Sequence, residues 1–299
     1  MNILLTGSSG LLGSDIAISA YKKGIALKGV CRHPQKKGDI EADITSEGGI
    51  AKIAKTEFDC IIHCAAWRDP DKCEKDKGYC LKINVKATES LAKIAKERNA
   101  FFIHISTDYV FSGENPPYYE DSQICPINFY GESKAQAELI IQKLQRFSIL
   151  RVPLLYGMGG GIEKSSLILG MMNALHSGKN WDMEDSIVRF PTYTGDVADA
   201  VFFILEKKLN GIFHFSGNCR TSRYKMTIDF AKVMGLDSSR IIRLPEPPPA
   251  EARRPKNSQL SIEKIISLGF SPPLPFQERI SILKDEIKNQ YEKIKSSSN

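Results

Sequence analysis

The sequence predicts an α/β fold, a doubly wound parallel sheet joined to a smaller, chain-discontinuous α/β lobe. Three observations carry this. Apolar strand-like runs alternate with helical ones over residues 1–156, the first run opens directly into glycines at 7, 10 and 13, and past residue 157 the alternation breaks into irregular segments. Residues 1–156 therefore read as a dinucleotide-binding domain to which residues 190–218 return. Residues 157–189 and 219–299 read as a substrate lobe.

Composition narrows the function before any motif does. With 42% hydrophobic and 25% charged residues, a chain of 299 can bury a substantial core. The net charge of +6 is spread without a basic run or an aromatic stripe, which argues against nucleic acid and suits a small phosphate-bearing ligand. No apolar run reaches membrane-spanning length, and MNILLTG lacks the basic start of a signal peptide, so a cytoplasmic location and no membrane partner are expected. The seven cysteines are odd in number and lack CxxC spacing, so they read as reduced thiols rather than metal ligands.

In chain order, residues 2–5 are a short strand, followed by the turn Thr6 to Gly13 and an amphipathic helix to residue 23. Gly7 permits the tight turn, Gly10 lets backbone N–H groups approach a pyrophosphate, and Gly13 lets helix and strand pack closely. A second strand over 25–30 ends at Cys31-Arg32, where NAD-selective sites place an acidic residue for the ribose. The Arg32 guanidinium instead suits a 2′-phosphate, so NADP(H) is expected over NAD(H), against the plainer reading of a solvated loop arginine. The polar stretch 35–39 leads to a third strand over 40–44, whose Asp43 reaches the adenine edge or caps the next helix.

A fourth strand over 58–66 ends in Cys64-Ala65-Ala66, small enough to let a dinucleotide cross the strand end, while His63 and His104 read as core histidines. Residues 67–79 read as a charged connection and 81–98 as a helix with Asn84 on its first turns. The fifth strand, from Phe101, ends at Ser106-Thr107, and a helix opens at Tyr130. The intervening loop of about twenty residues, with Pro116-Pro117, reads as a site wall. Tyr130 and Lys134, four apart, share a helix face, and a lysine there is expected to favour the phenolate. Thr107 at the strand mouth could hold a carbonyl oxygen while Tyr130 moves its proton. Taken alone, YxxxK is also an ordinary surface pair; the preceding strand and the glycine turn decide for the site.

A sixth strand over 149–157 runs into a glycine-rich loop. Helices follow over 165–176, 196–208, 224–234 and 276–294, with a strand over 212–215, a PEPPP loop at 245–249 and a disordered SSSN tail.

Together GxxGxxG at 7–13, STD at 106–108 and YxxxK at 130–134 resemble the extended short-chain dehydrogenase/reductase superfamily, a Rossmann fold, over nearly the whole chain. HISTDYVFSGENPPYYEDSQICPINFYGESKAQAE and Arg253 to Leu260 are similar to its dTDP-4-dehydrorhamnose reductase branch. That resemblance implies NAD(P)H-dependent reduction of a nucleotide-linked 4-keto sugar by Thr107, Tyr130 and Lys134. It implies cofactor contacts from Gly10, Leu11, Leu12, Arg32, Asp43, Ile44, Cys64, Ala65 and Ala66, beside Gly7, Gly13, Tyr130 and Lys134. Substrate contacts are expected from Thr107, Asp108, Leu154, Arg253 and Arg254; the two arginines face a ligand phosphate or form a solvated pair. One departure is that Arg151 to Tyr156 lacks the tryptophan that the rhamnose enzymes carry beside the sugar. That stretch, with 189–192 and 213–218, is more similar to the regulatory beta subunit of methionine adenosyltransferase, which implies NADP binding in the service of a partner enzyme. A nucleotide-sugar epimerase or dehydratase is a third reading; a dehydratase would carry an acid pair after the threonine, and Tyr109 follows Asp108. A homodimer is compatible with all three.

Overall fold

The computed structural model describes residues 1–34 and 37–297. The first two positions of the polar stretch 35–39 and the last two of the SSSN tail lie outside the described residues. Ser296 and Ser297, expected to be disordered, form the end of the helix Phe276–Ser297.

The main sheet contains β1 (Ile3–Thr6), β2 (Leu27–Cys31), β3 (Ile40–Glu41), β4 (Cys60–His63), β5 (Phe101–Thr107), β6 (Phe147–Val152) and the strand Gly211–His214. Their spatial order is Gly211–His214, β6, β5, β4, β1, β2, β3, with every pairing parallel. β1, β4 and β5 are buried along their whole length, which is why they read as continuous apolar runs rather than alternating ones. From β1 the chain winds outward to β3, then returns past β1 to β4 and winds the other way. The reversal leaves a crevice beyond the carboxyl ends of β1 and β4, the doubly wound arrangement that the alternation predicts.

Helices seal both faces. Helix α1 (Leu11–Lys22) and the helix Thr194–Glu206 bury Leu12, Ile16, Val197, Val201 and Ile204 on one side. On the other, Ile53, Leu91, Ile94 and Ile141 come from the helices Glu47–Ala54, Ala87–Glu97 and Phe129–Ile141. A separate core of Met171, Met226, Phe230, Phe276, Ile280 and Ile287 holds the second lobe together. That lobe carries a two-stranded parallel sheet, Trp181–Glu184 with Ile241–Leu244, which no periodicity announced.

Several expected elements differ for local reasons. The third strand stops at Glu41 because the Asp43 carboxylate accepts from the Thr45 N–H at 2.8 Å, turning the chain. The cap of the next helix is Ser46, whose Oγ accepts from Gly49 N at 3.0 Å. The charged connection 67–79 holds two short helices, Pro70–Lys75 and Lys77–Leu81, capped by Asp69 and Asp76 and too brief for a periodic signal. The helix expected over 81–98 opens as a π turn, Lys82–Lys86, where Asn84 is drawn inward to donate to Trp67 O (3.1 Å) and Ser133 Oγ (2.9 Å). The helix Glu263–Ser267, read as part of the lobe, instead buries Ile265 against the main sheet's core.

The glycine turn behaves as its spacing requires. Gly7 has φ +71°, a conformation that side-chain-bearing residues avoid, and a Cβ on Gly13 would lie 2.1 Å from the Gly7 carbonyl oxygen. Gly13→Ala is therefore expected to destabilise the protein by about 1–3 kcal/mol, read from the urea midpoint. An unchanged midpoint would mean that the turn has room the structure denies it.

Candidate active site

A cavity of about 790 Å³ fills the crevice at the carboxyl edge of the sheet. Gly7, Gly10, Leu11, Leu12, Gly13, Arg32, Asp43, Ile44 and Cys64 to Ala66 line one end of it. Helix α1 points its N-terminus at this end, and its cap residue Gly10 offers no side-chain acceptor. The first N–H groups are thus left for an anion, as a pyrophosphate would need.

Thr107, Asp108, Tyr130, Lys134, Leu154 and Arg254 line the rest of the cavity. Arg253 is not among its lining residues; its side chain is exposed, and its carbonyl accepts from Asn128 Nδ2 at 2.8 Å. Asn128 is also the N-cap of the helix that carries Tyr130, accepting from Gly131 N at 2.8 Å. Arg254 is held bidentately by Asp71, at 2.8 and 2.5 Å. That pairing holds the Asp71 carboxyl well below the usual carboxylate range.

The tyrosine and lysine share one helix face as expected, but their electrostatics differ from the expectation. The Lys134 ammonium donates inward, to His104 Nε2 at 2.9 Å and to Ile105 O at 2.8 Å. Burial pushes its pKa down to about 8, with Glu138 pulling the other way. The Tyr130 phenol is pushed up rather than down: burial dominates, the Asp108 carboxylate adds to it, and contact with the Thr107 hydroxyl only partly offsets it. Tyr130 therefore keeps its proton at neutral pH, the state a proton donor requires.

Asp108 is buried between two hydroxyls, accepting from Thr107 Oγ1 at 3.1 Å and from Ser258 Oγ. Burial raises its carboxyl to about 6 despite both contacts. His63 sits behind the site as a satisfied core histidine, with Nδ1 2.6 Å from Thr6 Oγ1 and Nε2 3.0 Å from Thr88 Oγ1. Burial lowers it to about 3, so it is neutral.

Sequence reasoning missed the site contributions of His104, Ser258, Arg189 and Arg223. Ser258 lies 150 residues from the carboxylate it meets, and Arg189 and Arg223 arrive on segments to which the sequence reading assigns no role in the site. His104 was read as core alone, yet one face of β5 puts it under the lysine. All seven cysteines are free, and among the described residues no group of three His, Cys, Asp or Glu side chains could hold a metal ion. Among those residues, too, no helix is long and apolar enough to cross a membrane.

Comparison with known proteins agrees with this fold. The family model described as the RmlD substrate binding domain matches residues 1–289. The methionine adenosyltransferase 2 subunit beta of Xenopus tropicalis is 34% identical over 282 residues, covering 92% of this chain and 84% of that protein. A probable low-salt glycan biosynthesis reductase, Agl14 of Haloferax volcanii, is 29% identical over 288 residues, covering 91% and 94%. Among solved structures, a dTDP-4-dehydrorhamnose reductase from Clostridium acetobutylicum superposes with a TM-score of 0.85 at 28% identity, covering 96% of this chain and all of that one.

The raised Asp108 carboxyl makes a pH prediction. The folded state holds this proton up to about pH 6 while the unfolded chain releases it near 3.8, so the contribution to stability is full below pH 4 and is lost as pH rises to 6. Asp108→Asn removes that loss. The variant is expected to gain about 2–3 kcal/mol on the wild type at pH 7 and nothing at pH 4, in paired urea titrations. Parallel pH profiles would contradict the assignment.

Proposed function

The chain belongs to the RmlD substrate binding domain family, within the extended short-chain dehydrogenase/reductases, and on that premise we propose that it is an NADP(H)-dependent reductase of a nucleotide-linked 4-keto sugar. Membership supports an oxidoreductase of this class; the observation that carries the finer reading is Tyr130 beside Thr107 at the strand mouth of one crevice, with Lys134 one turn on. In this reading the sheet domain, residues 1–156, holds the cofactor, and the lobe residues 157–189 and 219–299 hold the sugar nucleotide.

The chain's own residues divide the work. The uncapped start of α1 and the glycine turn would hold the pyrophosphate, and Arg32 the 2′-phosphate. A bound nicotinamide supplies the hydride that the keto carbon accepts. Thr107 and Tyr130 hold the keto oxygen by their hydroxyls, so that the Tyr130 proton passes to that oxygen as negative charge builds on it. Lys134, one turn on, would then favour the phenolate by its charge, and this is the stage at which that charge matters. Arg223, which makes none of the ion pairs found among the described residues, and Arg189 suit the diphosphate of the substrate.

A second reading rests on a different observation, the 34% identity to a methionine adenosyltransferase 2 subunit beta. Under it the same crevice binds NADP, and the protein regulates a partner enzyme. In this case Tyr130 and Lys134 serve only as cofactor contacts.

Two measurements separate these readings and test the cofactor. Tyr130→Phe keeps the ring but removes the proton, so turnover of a dTDP-4-keto sugar is expected to fall by about 10² to 10⁴ while NADPH affinity holds. A wild-type protein that binds NADPH, reduces no nucleotide 4-keto sugar and alters a methionine adenosyltransferase's kinetics would reverse the choice. Arg32→Ala should cost NADPH about 1.5–3 kcal/mol of binding and leave NADH nearly untouched, in fluorescence titrations. Equal affinities of the wild type for the two cofactors would refute the role of Arg32.

A further inference from the structure

The helix that carries Tyr130 is fastened to the sheet at two adjacent residues of β5. Lys134 donates to Ile105 O at 2.8 Å, and one turn later Glu138 accepts from Ser106 Oγ at 2.5 Å. Glu138 also reaches β6, where Arg151, the register partner of Ser106, meets its carboxylate at 3.0, 3.3 and 2.7 Å. Both side chains of this pair are closed to solvent, at 0% and 1% exposure. The carboxylate therefore lies against Ser106, the residue before Thr107, and on the same helix face as Tyr130 and Lys134, at i, i+4 from the lysine.

We propose that Glu138 is the positioning residue of this site, the buried carboxylate that fixes the Lys134 face of the helix against β5 and keeps that lysine an ammonium. The inference deepens the reductase reading, which needs a charged lysine beside Tyr130, but its test stands apart from that reading.

Among the described residues, the carboxylate that acts most on Lys134 is that of Glu138. From β5 it faces His104, behind which His63 of β4 lies with ring centroids 5.4 Å apart. Burial and the lysine itself hold both imidazoles below their ordinary range, so both are neutral. Cys64 follows β4, with a thiol that burial pushes up to about 12, and Cys80 comes from the short helix Lys77–Leu81. Tyr130, on the same helix, is neutral as well. Desolvation acts to strip the proton from Lys134, and Glu138 is the largest group opposing it, ahead of both thiols. Arg151 meets that carboxylate from β6 and orients it.

The test is a titration of Lys134 itself. Protein carrying 13C-labelled lysine is followed by NMR from pH 6 to 10, and the Lys134 Cε signal is identified by its loss in Lys134→Met. The wild-type midpoint is expected near 8. Glu138→Gln should lower it by about one pH unit. Because that change strands Arg151 in the interior, Glu138→Gln/Arg151→Met, which leaves no unpaired arginine there, carries the test if the single variant does not fold. Glu138→Asp, which keeps the charge, should return the midpoint toward the wild-type value. A midpoint unmoved in either folded variant, even with a lowered melting temperature, would make Glu138 merely structural and overturn the proposal. No cofactor or sugar enters this measurement, so a protein that reduces nothing still answers it.

Discussion

The buried pair of Glu138 and Arg151 is the constraint on which the rest of the site depends. Taking both charges out of water is expensive, and only good geometry and further hydrogen bonds offset it. Here both are present. The carboxylate also accepts from Ser106, while Arg151 Nη1 reaches Glu120 O at 3.2 Å and His214 Nε2 at 3.1 Å, and its guanidinium lies 5.0 Å from the centre of the Phe111 ring. One ion pair thus ties together β5, β6, the strand Gly211–His214, the helix bearing Tyr130 and the loop expected to wall the site, of whose residues 109–129 only Tyr109 lines the cavity. Removing a single partner would leave a charge buried without its counterpart, at a cost of about 3–5 kcal/mol.

From this anchor the crevice grades from buried to open. Beneath the lysine the two imidazoles are uncharged, with His63 held between Thr6 and Thr88. At the mouth Arg189, Arg223 and Arg254 gather on segments of the second lobe, two of them already committed to Glu184 and Asp71. A reaction that moves one proton at the sheet edge while holding an anionic ligand at the lobe needs that gradient, because a proton donor works best where water is excluded and a phosphate binds best where cations converge.

The fold was legible because its signals are local. Continuous apolar runs mark strands buried on both faces, and glycines at 7, 10 and 13 mark the place where strand and helix nearly touch. The parts that could not be read depend on contacts across long stretches of chain. The register that sets Arg151 beside Ser106 and the fold that brings Ser258 to Asp108 have no signature in either segment alone. The direction of the Tyr130 shift was misread for a similar reason: spacing puts Lys134 on the right face but does not show that its ammonium turns to His104 and Ile105. Arg253 and Arg254 are adjacent in sequence, yet only the second reaches the crevice, since Asp71 holds it there.

Transfer of label from the cofactor tests the central claim most directly. Protein mixed with NADPH deuterated at the nicotinamide C4 and a dTDP-4-keto sugar should give a product that carries one deuterium on the former keto carbon, read by mass spectrometry. A protein that binds this NADPH yet leaves every nucleotide 4-keto sugar unlabelled would contradict the account of the crevice as a reductase site.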